Sequence, residues 1–553
     1  MVTMTRPLSL PSGSRWPPVF GPLAFPRWSG ATWVVIATVL ASLVVRVWRL
    51  DFQSFWLDEA HTAFYINGQS GRVIFERFTR PGENGPVYYL VLLGWRSLFG
   101  AGENSLRGFS VVCATATVPV TWLALRRLIG RRTALATTAM VGLAPYLTWY
   151  AQEAKMYAMA LLVGMVSLWL LLRAVEVGGV WRWVTYAVTA LISVYVHFFA
   201  LLTIGAHALA IIVLAWPDRR RTGAAWLAIG AVLLPVLGWQ AIAINRDVAG
   251  SGANMSSGPM SLVSRIGVLA YAYSLNVMPT SLAIVVFVVV LVALMGTAVA
   301  VGPAISAIAA QGRTSTLTLG LPLGTRGPAA IAILAWAPFG AHAVAMGALG
   351  AGLFADRYFI ATVPLLYALG ALALGRVAER TRIGAGVVVA VGVVAAGWAT
   401  VYQATVPIKD DFRRAMALYR GGRGERDAVV PVPHFLSYPV GYHSAPGLDV
   451  VVVDTERPPI DYEAKFAGRT GVWVVTNLPN RYIPLRDLRE WLVAHATLAS
   501  DDTVAGGVGA QHWVLDGGCD SVPTADGRWE APTVDRPCVE GLRSTPELQI
   551  VRP

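Results

Sequence analysis

The chain has 553 residues, of which 55% are hydrophobic and 14% are charged, and its mean hydropathy is +0.55. Charged residues make up about 25% of a typical soluble domain, so this composition excludes an ordinary soluble enzyme and indicates a polytopic membrane protein. The formal net charge of +12 is attributed to membrane orientation and contact with anionic lipid, since no nucleic-acid-binding motif accompanies it.

Residues 1–31 are rich in Pro, Gly and Ser and predict a disordered cytoplasmic lead-in. The apolar stretch that follows lacks a small-residue cleavage site behind it. We therefore expect this stretch to be a retained membrane anchor and not a removed signal peptide.

Eleven apolar stretches are long enough to cross a bilayer, which takes about 17–25 helical residues. They centre on 32–49, 106–124, 134–150, 157–174, 182–197, 199–216, 224–243, 280–302, 328–350, 358–376 and 384–402. Two more, 86–100 and 262–279, are expected to be helices along the outer interface. The sequence thus predicts an α-helical polytopic membrane protein, with about eleven spans plus interface helices in 32–407.

The positions of the basic residues orient these spans, because Lys and Arg gather in short cytoplasmic loops. The basic runs are Arg126, Arg127, Arg131 and Arg132, then 219–221, then Arg313 and Arg326, then Arg376, Arg380 and Arg382. Placing them inside puts the N-terminus in the cytoplasm, and the loop 50–105 and everything after about 403 outside. Low Lys with abundant Arg, Ala, Gly and Val resembles high-GC bacterial usage, so we expect a bacterial plasma membrane protein.

Residues 408–553 alternate between strand and helix patterns and predict a small extracytoplasmic α/β domain. Strands are expected at 428–432, 449–453, 471–476 and 512–515, and helices at 410–420 and 486–496. Cys519 and Cys538 both lie in the tail of this domain. Because disulfides persist outside the cytoplasm, these two cysteines are predicted to pair.

Three acidic residues lie at predicted outer membrane edges, namely Asp58 and Glu59 in SFWLDEAHTAFY and Glu153 in QEAKMY. A charged residue at the bilayer centre costs about 2.5–3.5 kcal/mol on insertion scales, so acids near the membrane usually face a polar cavity or a substrate path. The alternatives are an ordinary hydrated loop pair for the first two acids and a salt bridge from Glu153 to Lys155.

Six strings occur in an order and spacing that resemble the GT-C superfamily of integral membrane glycosyltransferases: WLDEA, NGPVYYLVLLGW, SLRGFSVVCATATVPVTWLALRRLIGRR, LAPYLTWYAQEAKMYAMALL, YVHFFALL and ADRYFIATVPLLYALGALAL. The resemblance covers about residues 30–420 and is to the protein-mannosyltransferase and aminoarabinose-transferase-like branch. It implies an inverting enzyme that moves a sugar from a polyprenyl-phosphate donor to a hydroxyl. The acceptor would be a cell-wall glycan, a glycolipid or a protein.

This resemblance also implies catalytic roles for the acids. Asp58 matches the family's base in the first outer loop. Glu59 beside it is a further candidate catalytic residue. Glu153 would orient the substrate or bind a metal. No cofactor is certain, and Glu59 and Glu153 leave a divalent ion (Mg, Mn or Ca) open.

A basic residue is needed to bind the leaving phosphate. Arg357 in the ADRY string matches a family arginine, and the resemblance implies that this arginine binds the lipid phosphate. The alternatives for Arg357 are snorkelling to lipid headgroups or pairing with Asp356. Lys155 is the second phosphate candidate, with Arg80 and Arg46 behind it.

Four further residues are candidates for contact with the substrate: His197, Tyr88, Tyr358 and Glu83. The alternative for His197 is a hydrogen-bonded packing residue. The segment 83–86 departs from the His-Pro-Pro or Lys-Pro pattern of many relatives, which leaves open which side chain there meets donor or acceptor.

The expected partners are a polyprenyl-phosphate sugar donor, the glycan, glycolipid or protein acceptor, and membrane lipids, with no nucleic acid. The second function class that the sequence allows is a non-catalytic transporter or flippase of lipid-linked glycans. Inverted internal repeats would favour transport, and the sequence shows no convincing repeat.

Overall fold

The computed structural model describes residues 29–80, 83–215, 218–250, 261–276, 283–311, 323–349, 354–444, 448–453, 460–477, 483–515, 522–523 and 529–530. Residues 1–28 of the predicted lead-in lie outside the described residues. Cys519 and Cys538 lie outside them as well, so their disulfide stays a prediction.

The described residues between 29 and 405 are almost entirely helical. The helices are α1 (Gly30–Val47), α2 (Leu57–Gly68), α3 (Gly71–Phe78), α4 (Val87–Phe99), α5 (Glu103–Leu125), α6 (Gly130–Leu143), α7 (Pro145–Ala151), α8 (Tyr157–Val177), α9 (Val180–Val196), α10 (Ala200–Leu214), α11 (Arg219–Gly250), α12 (Leu262–Leu275), α13 (Ala283–Gln311), α14 (Leu323–Leu349), α15 (Val363–Arg380) and α16 (Arg382–Thr405). A 3-10 helix, Asp356–Thr362, leads into α15.

Among the described residues, eight helices are long and apolar enough to cross a membrane, counting α15 with its 3-10 lead-in. The prediction of an α-helical polytopic membrane protein is therefore confirmed. Three predicted spans coincide with shorter helices, namely α6, α9 and α10 with 14, 17 and 15 residues. The two stretches that the sequence assigns to the outer interface are helical as well, as α4 and α12.

The predicted span 134–150 is wrong as a continuous helix. Helix α6 ends at Leu143, and α7 begins at Pro145. Proline lacks the backbone N–H that would continue the helix, and its ring crowds the preceding turn. The break frees the carbonyl of Val141, which accepts a 3.0 Å hydrogen bond from the buried Arg46.

Two of the basic runs meet at one end of the helix bundle. Arg127, which follows α5, lies 3.2 Å from Glu176 at the end of α8. Arg221 at the start of α11 donates to the carbonyls of Val175 and Glu176 at 3.0 and 3.2 Å. Since α1, α7 and α9 each finish at the opposite end, the basic loops are separated from the predicted site by the length of the bundle.

The C-terminal domain contains a four-stranded sheet and small helices, as predicted. Its elements are α17 (Phe412–Gly422), β1 (Ala428–Val432), α18 (Ser437–Tyr442), α19 (Tyr462–Phe466), β2 (Gly471–Thr476), α20 (Ile483–His495), β3 (Ala496–Val504), β4 (Val508–Leu515), β5 (Val522–Pro523) and β6 (Trp529–Glu530). The order is β1-β2-β4-β3, with β1 and β2 parallel and the other neighbours antiparallel. Strands β5 and β6 form a separate two-stranded sheet.

Strands β1 and β2 are buried along their whole length, because helices cover both faces of the sheet. Met416 of α17 packs with Val429 and Val475 on one face, and Leu488 of α20 packs with Val474 on the other. Strands that are buried on both faces have continuous apolar sequences. The positions of β1 and β2 could therefore be predicted correctly from the sequence.

One strand prediction in this domain is wrong, and one strand was not predicted. The apolar run 449–453 makes a single bridge, between Val450 and Val429, and forms no strand. Strand β3, in contrast, was not predicted, because it is a partly exposed edge strand with the polar sequence ATLASDDTV. A strand that packs one half-exposed face has no apolar run to reveal it.

A buried carboxylate joins the sheet of this domain to its loops. Asp427 accepts hydrogen bonds from the backbone N–H of Gly424 at 2.9 Å, from Thr470 at 3.0 Å and from the indole of Trp473 at 3.2 Å. His512 Nε2 lies 3.0 Å from the same carboxylate. Burial would raise the pKa of Asp427, but the hydrogen bonds from His512, Gly424 and Thr470 outweigh burial and lower it.

Replacement of Asp427 by Asn is expected to destabilise the C-terminal domain by about 1–3 kcal/mol, because an amide leaves buried donors unpaired. Since folding lowers the pKa of Asp427, its contribution is complete at neutral pH and is lost as the pH falls below the ordinary value of 3.8. Hydrogen exchange of β2 and β4 measures both effects. Exchange unchanged from that of the exposed control Asp501→Asn would contradict the assignment.

Candidate active site

The acids and cations predicted from separate parts of the sequence meet at one end of the bundle. Asp58 and Glu59 lie in the first turn of α2. Lys155, from the connection between α7 and α8, lies 3.6 Å from the Asp58 carboxylate. Lys409, which follows α16, lies 3.1 Å from Glu59 and 3.1 Å from Glu153. Three chain segments that are distant in sequence thus form one charged cluster.

Glu59 is completely buried, and both of its carboxylate oxygens have partners. Arg107 of α5 donates to Oε1 and Oε2 at 2.8 Å each, the backbone N–H of Ala154 donates to Oε1 at 2.9 Å, and Lys409 donates to Oε2 at 3.1 Å. Burial would raise the pKa of Glu59, but the charges of Arg107 and Lys409 outweigh it and lower the pKa to about 2. Glu59 is therefore an ionised anchor inside the protein.

The same arginine holds the chain that precedes α2. Arg107 Nη1 donates to the carbonyls of Leu50 at 2.8 Å and Gln53 at 3.0 Å, and Nη2 lies 3.4 Å from the carbonyl of Ser54. Its guanidinium stacks 4.6 Å from the ring centre of Phe55. The turn that leads into α2 is thus built around a buried charge on α5.

Glu153 is also buried, but only one of its oxygens is paired among the described residues. Oε1 binds Lys409, whereas Oε2 has no hydrogen-bond partner among the described residues. Burial and the nearby charge of Glu59 raise the pKa of Glu153, against the opposing effect of Lys409. The salt bridge from Glu153 to Lys155 that the sequence left open is not formed, since Lys155 pairs with Asp58 instead.

A lysine lies between the two metal candidates, Glu59 and Glu153. The ammonium of Lys409 lies between Glu59 and Glu153, 3.1 Å from an oxygen of each. The described residues contain no group of three or more His, Cys, Asp or Glu side chains that could hold a metal. A positive charge from the protein itself thus occupies the space between the carboxylates.

Asp58 differs from the other two acids by being accessible. Its side chain is 26% exposed, compared with 0% for Glu59 and 1% for Glu153. Lys155 lies 3.6 Å from its Oδ1 and 3.4 Å from its backbone carbonyl. Burial would lower the pKa of Lys155, but the charge of Asp58 outweighs burial and raises it.

Arg357 is the second cation close enough to Asp58 to interact with it electrostatically. Its guanidinium lies 5.9 Å from the ring centres of both Tyr157 and Tyr358, and its Nε has no hydrogen-bond partner among the described residues. Its chain neighbour Asp356 accepts a 3.1 Å hydrogen bond from the hydroxyl of Tyr150. Arg357 therefore retains capacity to bind an anion.

A cavity opens beside Arg357, between α8, the α9–α10 junction and the 3-10 helix. It is small, with a volume of about 10 Å³, and its lining includes Gly164, Ser193, His197, Thr203 and Tyr358. His197 is buried, and its ring centre lies 6.1 Å from that of Tyr358. This space, called here the α8–α10 cavity, has a mainly apolar lining with a few polar groups.

The other predicted residues have different surroundings. Tyr88 is fully buried, and its hydroxyl has no partner among the described residues. Glu83 forms an ion pair with Arg77. Arg80 is exposed after α3 and makes no side-chain contact with the charged cluster in the described part of the chain, while Arg46 is buried between α1 and α6.

The segment 83–86, which departs from the family pattern, packs against the end of α9. Asn84 Oδ1 accepts a 3.3 Å hydrogen bond from the backbone N–H of Phe198. Gly85 has a φ of +99°, and a Cβ there would lie 2.3 Å from the carbonyl oxygen of Tyr195. Glycine is therefore required by the close approach of the two backbones beside His197.

Sequence reasoning missed Lys409 and Arg107 as members of the site. Lys409 belongs to the start of the C-terminal domain, yet it is one of only three lysines in the chain, and Lys155 is another. Arg107 lies in the predicted span 106–124, where a charge requires a buried partner. These two signals were present in the sequence, but nothing in it identified Glu59 as the partner of both.

No family model matches the chain, and no curated protein matches it. Among solved structures, ArnT from Cupriavidus metallidurans in the apo state matches with a TM-score of 0.53 and 15% identity, over 88% of this chain and 98% of that chain. ArnT bound to undecaprenyl phosphate matches with a TM-score of 0.51 and 14% identity, over the same shares. The Archaeoglobus fulgidus oligosaccharyltransferase is less similar, with a TM-score of 0.47 and 12% identity over 86% of this chain and 72% of that chain. The likeness to ArnT shows that the chain has the same fold as that protein.

Proposed function

We propose that the protein is an inverting glycosyltransferase that moves a sugar from a polyprenyl-phosphate donor to a hydroxyl acceptor, with Asp58 as the general base. The observation that carries the proposal is the difference in exposure among the three acids. Asp58 is partly exposed beside two cations, whereas Glu59 and Glu153 are buried against Lys409. A base must reach the proton that it removes.

In the proposed step, the oxygen of the acceptor hydroxyl attacks the anomeric carbon of the donor sugar. The bond from that carbon to the phosphate oxygen breaks, and its electron pair stays on the phosphate. The hydroxyl proton passes to the carboxylate of Asp58. Arg357 and Lys155 stabilise the charge that develops on the leaving phosphate, since preorganised cations in a partly dry site act strongly on such charge.

The number of accessible carboxylates supports inversion. A retaining double displacement of the kind that glycosidases use needs a carboxylate that attacks the anomeric carbon, in addition to the acid–base group. Among the three acids of the cluster, Glu59 has both oxygens engaged and Glu153 is buried. A single displacement assisted by Asp58 inverts the anomeric centre.

Two observations support a lipid-linked donor. Arg357 Nε has no hydrogen-bond partner among the described residues, so the guanidinium can bind a phosphate. ArnT, which this chain resembles in fold, has been crystallised with undecaprenyl phosphate. An acceptor hydroxyl would reach Asp58 from the exposed side.

The orientation, localisation and acceptor belong to the same proposal. With the basic loops in the cytoplasm, the site and the C-terminal domain lie on the extracytoplasmic face of a bacterial plasma membrane. The acceptor is a cell-wall glycan, a glycolipid or a protein. Mannose and arabinose donors are both to be tested.

The function is tested with purified protein in liposomes that contain polyprenyl-phosphate mannose or arabinose and a hydroxyl acceptor. We expect a glycosylated acceptor and free polyprenyl phosphate in equal amounts. Movement of the lipid-linked sugar across the bilayer without any transfer would instead favour the transporter class. A deletion strain is analysed in parallel for its glycolipids and cell-wall sugars. The proposal would be contradicted if neither donor is used and these sugars also stay unchanged.

Replacement of Arg357 by Ala is expected to weaken donor binding by about 2–3 kcal/mol, because a charge-assisted contact is lost from a partly dry site. Titration with a short-chain polyprenyl phosphate measures the effect. The matched control is Arg72→Ala, an exposed arginine of the same end of the bundle that pairs with Glu76. Equal affinities of the two variants would show that Arg357 only contacts lipid headgroups.

A further inference from the structure

The side chain of Gln53 connects the turn before α2 to the start of the C-terminal domain. Both its amide nitrogen and its amide oxygen form hydrogen bonds there. Gln53 Nε2 donates to the carbonyls of Gln403 at 2.8 Å and Val406 at 2.7 Å. Its Oε1 accepts from the backbone N–H groups of Ile408 at 3.0 Å and Lys409 at 3.2 Å. Gln53 therefore fixes the segment 403–409, through which the last span enters the domain.

The next residues of the turn contact the domain itself. Ser54 accepts from the backbone N–H of Arg413 at 3.2 Å, and the ring of Phe55 stacks on Tyr442 with centres 5.0 Å apart. His443 Nε2 lies 3.0 Å from the carbonyl oxygen of Phe55. The turn that leads to Asp58 is thus held between α5 and the C-terminal domain.

Lys409 extends from this junction into the charged cluster. It is buried, its ammonium lies 3.1 Å from Glu59 and from Glu153, and the ring centre of Trp149 is 5.0 Å away. Glu59 is the neighbour of Asp58 in the first turn of α2. A displacement of Lys409 would release an anchor of that turn and leave two buried carboxylates close to each other.

We propose that Lys409 is a positioning residue for sugar transfer. By means of Lys409, the C-terminal domain holds Glu59 and Glu153, and therefore Asp58, in place and so completes the active site. This inference rests on the proposed function for its catalytic part. Lys409 touches neither donor nor acceptor in this account. It acts through the two buried acids.

The experiment compares full-length Lys409→Met, which keeps the length of the side chain without its charge, with Lys409→Arg, which keeps the charge. The control is Lys465→Met, a lysine of the same domain whose ammonium contacts the carbonyl of Val452. Two quantities are measured for each variant in detergent. They are hydrogen exchange of the segment 54–66, and turnover together with the affinity for a short-chain polyprenyl phosphate.

For Lys409→Met we expect faster exchange of the segment 54–66 and turnover lowered by about 100-fold, the effect of misplacing a reacting group by about 1 Å. Donor affinity should stay within about threefold of the wild type, because the phosphate ligands are unchanged. Lys409→Arg should recover part of the turnover, and Lys465→Met should match the wild type. Normal turnover in Lys409→Met, whatever its exchange, would overturn the inference.

Two further outcomes separate the inference from the proposed function. If the wild type transfers no sugar, the function fails, and exchange of the segment 54–66 alone then decides whether Lys409 anchors α2. If Lys409→Met does not fold, the double variant Lys409→Met with Glu153→Gln removes the uncompensated charge and takes its place. Normal exchange and normal turnover in that variant would overturn the inference.

Discussion

Replacement of Asp58 by Asn is expected to lower the rate of sugar transfer by about 10²–10⁴-fold, the range that a general base contributes. Asparagine keeps the shape of the side chain but cannot accept the proton of the acceptor hydroxyl. Lys155 keeps its contact with the backbone carbonyl of residue 58 at 3.4 Å, so the local fold should persist. Donor affinity should be maintained, because Arg357 and Lys155 are unchanged.

The measurement is single-turnover transfer from a polyprenyl-phosphate sugar, accompanied by titration of donor binding and by thermal unfolding in detergent. Asp51→Asn is a suitable control, since Asp51 is exposed in the same loop and contacts Arg413 only through its backbone carbonyl. A near-normal rate in folded Asp58→Asn would refute the assignment of the base. Equal loss of activity in both variants would point to a general effect on the loop.

Replacement of Arg107 by Met is expected to destabilise the protein by about 3–5 kcal/mol, because it breaks a completely buried ion pair. Glu59 would lose two hydrogen bonds of 2.8 Å, and the carbonyls of Leu50 and Gln53 would lose their donor. The remaining partners of Glu59 are Lys409 and the N–H of Ala154. Unfolding titrations in mixed detergent micelles measure the change in free energy.

The control for this prediction is Arg173→Met, which removes an exposed ion pair with Glu176 on a membrane helix. Exposed pairs contribute about 0–1 kcal/mol, so this variant should unfold almost as the wild type does. The double variant Arg107→Met with Glu59→Gln should be less destabilised than the sum of its single changes, because it leaves no uncompensated carboxylate. Strict additivity would contradict the proposed pairing.

The helical part of the fold could be predicted from the sequence because lipid imposes a simple rule on it. An apolar segment in a bilayer must satisfy its own backbone groups, so a long apolar stretch becomes a helix. The same rule says nothing about an interruption such as that at Pro145, which shortened one predicted span. In the C-terminal domain, the apolar runs of β1 and β2 were visible, and the polar edge strand β3 was not.

The candidate site was predicted only in part. Asp58, Glu153, Lys155, Arg357 and His197 were selected one by one from their strings, and the structure brings these five together. Their individual roles stay predictions. Their pairing could not be read from the chain, because the sequence offered Lys155 only as an alternative partner for Glu153, whereas Glu153 meets Lys409, which is far away in the sequence.

The sequence by itself determined the class of protein, the places where helices form, and the end of the bundle where acids and cations gather. Each of these depends on local hydrophobicity or on the charge of short loops, which are properties of contiguous residues. Only the tertiary structure decided which acid is exposed and which cation each acid meets. Burial and ion pairing are set by packing between α2, α5, the α7–α8 connection and the segment after α16, and no local pattern encodes contacts between segments so far apart.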